Sequence, residues 1–169
     1  MNAHINIYHS AVAHFYAPSD LCGAGGMYHE QIWSNPSWYR GYPQYDTVFV
    51  ETDAELPGMH GMVIGCVLLF FSFSFHEQTY PCALVHWLVP VGDEPDDKTG
   101  MWVVWPEFEG NQRSLAVIHL NCIARGAHLL PVFGSSFLPE DFHFSDSLHA
   151  FHGYFVSRHV DHHMYEFLG

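Results

Sequence analysis

A chain of 169 residues fits one domain, and at this size folding hides roughly two-thirds of the unfolded surface, so a real core is within reach. Apolar residues make up 49% and aromatics 17%, which excludes a disordered tail and removes the need for disulfides or metals to hold the fold. Only 5 Lys and Arg stand against 18 Asp and Glu, a formal net charge of -13, and phosphate-backbone binding draws its affinity from Lys and Arg, so direct nucleic-acid binding is not expected.

Fifteen His outnumber the basic residues threefold and make the net charge sensitive to mild acid, since imidazole titrates near pH ~6.5. Cys22, Cys66, Cys82 and Cys122 lie far apart without a C-x-x-C pair, so free buried thiols are expected. Met1 to Asp20 has no basic leader, and His4, His9 and His14 interrupt any apolar run, which places the chain inside the cell, in nucleus or cytoplasm, and not among secreted proteins.

Residues 1–14 read as a ragged N-terminal extension and 15–169 as a single domain. From Ala17 to Tyr45, Gly, Pro, Ser and Asn favour turns over long elements, with Met27 to Trp33 as one short helix. Tyr45 to Thr52 is strand-like. A Pro57-Gly58 turn leads to a strand over Met62 to Phe75, too short and too polar for a membrane span. His76-Glu77-Gln78 connects it to a strand over Thr79 to Val89; a register centred on Glu77 sets Phe71 opposite Ala83 and Leu69 opposite Val85. After an acidic loop over Gly92 to Gly100, strands are expected at Met101 to Trp105, Leu115 to Leu120 and His128 to Phe133. Ser145 can cap a helix running to about Phe167, with Leu148, Phe151 and Phe155 on its apolar face. The fold class is therefore α+β, mostly antiparallel β as a small barrel-like or strongly bent sheet, with a long C-terminal helix.

The motifs that carry chemistry are few. Asp97-Lys98-Thr99-Gly100 matches the phosphorylated core of P-type ATPases, but Met101 follows and the chain lacks the length for their nucleotide domain and membrane helices. Gly23-Ala24-Gly25-Gly26 has no phosphate-binding Lys, and lipase, zinc-protease and zinc-deaminase signatures are missing. On a continuous C-terminal helix, His149, His152, His159 and His163 would form one stripe, with His159 and His163 at the i, i+4 spacing of a candidate metal pair; a solvated, pH-responsive face is the favoured reading. Trp33, Trp38, Tyr39 and Tyr42, with Tyr45 beside them, form a candidate ligand-binding cluster: core packing is the default, and an aromatic cage for a cation such as methyl-lysine is the functional alternative.

Three ordered stretches carry a resemblance: Phe15-Tyr16-Ala17-Pro18-Ser19-Asp20-Leu21, Tyr45-Asp46-Thr47-Val48-Phe49-Val50-Glu51-Thr52-Asp53, and Tyr80-Pro81-Cys82-Ala83-Leu84-Val85-His86-Trp87. With Thr99-Gly100-Met101-Trp102-Val103-Val104 and Phe144-Ser145-Asp146-Ser147-Leu148 continuing it, the chain resembles an accessory β-rich domain of fungal Plavaka-type, CACTA-like DNA transposon proteins, over about Phe15 to Phe167. That resemblance carries no catalytic residue over to this chain, and no cofactor is expected. His60, Cys66 and Leu68 stand where the family pattern leads one to expect Arg; transitions at methylated CpG turn Arg codons into His or Cys codons, and drift toward an acidic surface is the other explanation. The expected function is a noncatalytic binding module of transposon origin contacting chromatin or protein partners. Two alternatives remain: a small metal-dependent enzyme using histidines such as His86 and His119, or a decayed product without retained function.

Overall fold

The computed structural model describes residues 4–18, 25–134 and 151–168. Strands β1 (Ile5–Tyr8), β2 (Ser10–Tyr16), β3 (Met27–Tyr39), β4 (Tyr42–Tyr45) and β5 (Thr47–Glu51) lead through a 3-10 turn at Gly58–Gly61 to the long strands β6 (Met62–Phe75) and β7 (Gln78–Pro90). There follow β8 (Val103–Pro106), β9 (Phe108–Glu109), β10 (Gln112–Arg113), β11 (Leu115–His119), β12 (Ile123–Ala127), β13 (Leu129–Pro131) and β14 (Tyr154–Val156). The one α-helix among the described residues, α1, spans His162–Leu168.

The main sheet runs in the order β12-β5-β6-β7-β8-β14-β13. Its two end strands are separated in sequence by His128 alone, so the sheet curls until its edges nearly meet, the barrel-like antiparallel form expected. Alternation along each strand decides what fills it: Phe49, Ile64, Cys66, Leu88, Val104, Tyr154 and Val156 point inward, joined by Met164 and Leu168 of α1. The opposite face of β5, β6 and β7 buries Val48, Val50, Val67, Phe70, Ala83 and Val85 against Ile32 of a separate β2-β3-β4 sheet. Full burial of each Val, Leu, Ile, Phe or Met among them contributes about 1.5–3 kcal/mol. The stretch 1–14, read as an extension, carries β1 and most of β2.

The β6–β7 hairpin forms where expected, but its register is corrected by one residue. Phe71 faces Cys82 and Leu69 faces Leu84, because the loop is the two-residue turn His76-Glu77, with φ 49° and 64°, and not a three-residue connection. A bulge at Leu68 then shifts the register again, so Cys66 opposes His86.

Two expected helices are also corrected. Met27–Trp33 is the first half of β3: its inward residues Tyr28, Glu30 and Ile32 alternate with exposed His29 and Gln31, and pairing with β2 outweighs its helical appearance. The long C-terminal helix is α1 alone. Tyr154 and Val156 are buried as β14 between β8 and β13, while Asp161 starts the helix by accepting the Met164 N–H at 2.6 Å. Ser145, His149 and Leu148 of the expected helix lie outside the described residues.

Candidate functional site

A cleft of about 370 Å³ opens where the β2-β3-β4 sheet meets the closing edge of the barrel. Glu30 and Trp33 of β3, Gln44 and Tyr45 of β4, and Asp46 form one wall; Gly126, Ala127 and His128 form the other. The return of the chain from β3 through β4 brings the wall together, since Trp33 and Asp46 are tied twice: the Trp33 N–H donates to the Asp46 side chain at Oδ2 (2.7 Å) and the Asp46 N–H to the Trp33 carbonyl at 2.9 Å, while along β3 Trp33 alternates with Glu30 and Ile32 onto the other face of the strand. Gln44 Nε2 donates to the other Asp46 oxygen at 3.0 Å. An ionised carboxylate has about four acceptor sites, so Asp46 keeps capacity toward a ligand.

Behind the cleft lies a buried charge knot. Arg125, only 1% exposed, grips the Asp161 carboxylate through both terminal nitrogens, lies 4.3 Å from the ring centre of Phe15, and has Nε at 3.8 Å from Glu30 Oε2, an ionic contact and not a hydrogen bond. Its Nη1 also donates to His163 Nδ1 at 3.0 Å, and the His163 ring stacks on Phe15. Glu30 accepts the Gly126 N–H at 2.9 Å and meets His128 Nε2 at 3.4 Å. A Cβ on Gly126 would come within 2.7 Å of Glu30 Oε1, so only glycine lets the carboxylate approach so closely.

Burial by itself would raise the pKa of Glu30; the hydrogen bonds from His128 and Gly126 and the Arg125 charge outweigh it and hold the carboxyl below its usual value. Asp161 follows the same pattern, burial being overcome by Arg125 and the Met164 N–H. Glu30 in turn raises His128 through their hydrogen bond. Glu30, Asp46 and Asp161 against Arg125 leave two formal negative charges at the site when His128 is neutral.

Of the aromatic candidates, Trp33 lines the cleft and Trp38 packs on it with ring centres 4.2 Å apart. Tyr39 and Tyr42 oppose one another beside the Arg40-Gly41 turn, both exposed, with the Arg40 guanidinium 5.1 Å from the Tyr39 ring centre; they do not line the cleft. Sequence reasoning noted Tyr45 but missed Glu30, Asp46 and His128.

The histidine stripe is corrected. His159 precedes α1, near Tyr165, while His163 on α1 is engaged by Arg125, so the two do not share one helical face. His152 lies before β14, and among the described residues no three His, Cys, Asp or Glu side chains are grouped to hold a metal. His86 is buried, lies opposite Cys66, and donates Nε2–H to the Glu107 carbonyl at 2.9 Å; burial lowers its pKa. His119 Nδ1 accepts the Asn121 N–H. Both imidazoles thus do structural work. Burial pushes the Cys66 thiol up to about 12, which removes it as a nucleophile near neutral pH. Among the described residues, His14 and His29 meet, opposed across β2 and β3 with Nδ1 atoms 2.9 Å apart.

A second hollow of about 310 Å³, lined by apolar residues such as Ala11, Ile32 and Leu120 together with His14 and Asn121, carries no carboxylate and so offers a cation no counter-charge. No family model, curated protein or solved structure matches the chain.

Proposed function

We propose that this chain is a noncatalytic binding module, of the transposon-associated kind its sequence resembles, that takes a cationic side chain of a basic protein segment into the acidic aromatic cleft. The observation that carries the reading is the placing of Trp33 and Tyr45 in one cleft with Asp46 and Glu30. Aromatic faces attract cations by about 0.5–2 kcal/mol each depending on desolvation, and carboxylates add direct charge pairing. The net charge of -13 favours basic partners at longer range and disfavours DNA. Chromatin proteins, whose exposed tails are rich in Lys and methylated Lys, fit that chemistry; residence in nucleus or cytoplasm belongs to the same proposal. Among the described residues no helix is long and apolar enough to cross a membrane.

The test is fluorescence anisotropy with a labelled Lys-rich peptide in unmodified and trimethylated forms, beside a duplex DNA probe. Binding with a Kd on the order of 10–100 µM that weakens with salt is expected for peptide and not for DNA. Trp33→Ala should weaken it at least roughly fivefold, the loss of one cation–aromatic contact of about 1 kcal/mol. Asp46→Asn, which keeps an acceptor for the Trp33 N–H, should act in the same direction with circular dichroism unchanged. Peptide binding indifferent to both substitutions would count against the cleft.

A further inference from the structure

Beyond the Leu68 bulge, the β6–β7 hairpin reaches past the rim of the barrel, flanked by β1 along β6 and β11 along β7. The strand face that lines the barrel interior at Ile64, Cys66 and His86 continues onto this extension, because β7 keeps its alternation and the bulge restores that of β6. Inside the barrel that face is covered by β14, α1 and their neighbours; beyond the rim Cys82 is buried, Leu69, Phe71, Phe73, Tyr80 and Leu84 are half-buried, and among the described residues no strand or helix of the barrel core packs over them. One row across it is Ile5, Phe73 and Tyr80, the next Ile7, Phe71, Cys82 and His119, and the third Leu69, Leu84 and Val117. Ile5, Ile7 and Val117 are 62%, 61% and 59% exposed, and Phe75 at the tip is 57% exposed. The opposite face of the same strands is closed, with Phe70 and Ala83 buried in the second core cluster.

We propose that this extension is a self-association face on which a second copy of the chain docks, sheet against sheet, about a two-fold axis. Three observations select a second copy. First, none of the residues in the three rows is Asp, Glu, Lys or Arg, and His119 is their one titratable imidazole, so on a protein of net charge -13 this is a surface where two copies can meet without opposing carboxylates. Second, with side chains of roughly 150–250 Å² for the aromatics and somewhat less for the aliphatics, the exposed apolar area is on the order of 700 Å², near the ~800 Å² each partner gives to a standard stable interface and above the largest apolar patch of most monomers. Third, an apolar sheet face is complementary to itself: paired sheets pack about 10 Å apart with interdigitating side chains, and a two-fold contact repeats every favourable pairing twice. A basic segment, by contrast, finds its complement in the cleft and not here, so this inference stands independently of the proposed function.

Sedimentation velocity of the full chain from roughly 1 to 200 µM reads the outcome directly. The expected result is a monomer–dimer equilibrium with a Kd in the micromolar range that holds or tightens in high salt, because salt screens the repulsion between acidic copies. Ile7→Lys and Val117→Lys, each at a position already more than half exposed and so spared in folding, should each weaken association at least about tenfold. Their circular dichroism and thermal transitions should match those of the parent. A chain that stays monomeric throughout that range overturns the proposal and leaves the face to an unlike partner; so does a dimer that both substitutions leave intact.

Discussion

Replacing Arg125 with Met, close in volume and without charge, is expected to destabilise the protein by roughly 3–5 kcal/mol in urea unfolding, because Glu30 and Asp161 would be left in low dielectric without their cation. The pH dependence has a definite sign. Both carboxyls have folded pKa values below their unfolded ones, so the stability they contribute is fully present above about pH 4 and is lost as pH falls through the lowered values. The gap between parent and Arg125→Met should therefore narrow below about pH 4. His128 acts oppositely: its folded pKa is raised, so its contribution is complete below the unfolded value of about 6.5 and is lost as pH rises through the raised one. Its charge beside Glu30 should also weaken capture of a cation, so peptide affinity is expected to fall from about pH 8 to 6. Arg125 itself was not legible as a hub. It sits in an unremarked stretch, Ile123-Ala124-Arg125-Gly126-Ala127, and its Asp161 partner is 36 residues on, a distance only tertiary folding closes.

At the scale of the elements, the β6–β7 turn holds two non-glycine residues at positive φ, which costs free energy that Asn and Gly do not pay. The double change His76→Asn with Glu77→Gly should raise stability by on the order of 1 kcal/mol, visible as a higher melting temperature with the fold unchanged; a lower melting temperature would reject the two-residue turn. The hairpin was legible because both arms are long, apolar and rich in β-branched and aromatic residues. Its register was not, since the sequence allows a two- or three-residue loop and nothing local marks the bulge at Leu68. Met27–Trp33 misled because Met, Glu and Gln are good helix formers, yet β2 supplies a partner whose pairing decides the conformation. The C-terminal segment misled through chance i, i+3, i+7 spacing of Leu148, Phe151 and Phe155. Gly153, Val156 and the cap at Asp161 were the countersigns, and burial of Tyr154 and Val156 in the barrel outweighs helix propensity there.

For the whole molecule, composition and strand-like runs sufficed to anticipate a mostly antiparallel, barrel-like β fold, because aromatic and β-branched density over many short segments leaves few other ways to bury a core. The candidate site was legible in half. The aromatic crowding around Trp33 and Tyr45 was visible along the chain, whereas Gly126 and His128 reach the cleft only as the end strands β12 and β13 come together, and Glu30 only as the β2-β3-β4 sheet packs against that edge. The proposed capture of a basic segment rests on the net charge of -13 and on the cleft beside the nearly closed edge of the barrel. The most direct measurement is a backbone and indole NMR titration of the labelled full chain with a trimethyl-lysine peptide. Saturable shifts are expected at the Trp33 indole and at the amides of Tyr45, Asp46, Gly126 and His128, reduced by salt and by Asp46→Asn; an absence of saturable shifts there, or shifts confined to the Ile7, Phe73 and Val117 face, would contradict the account.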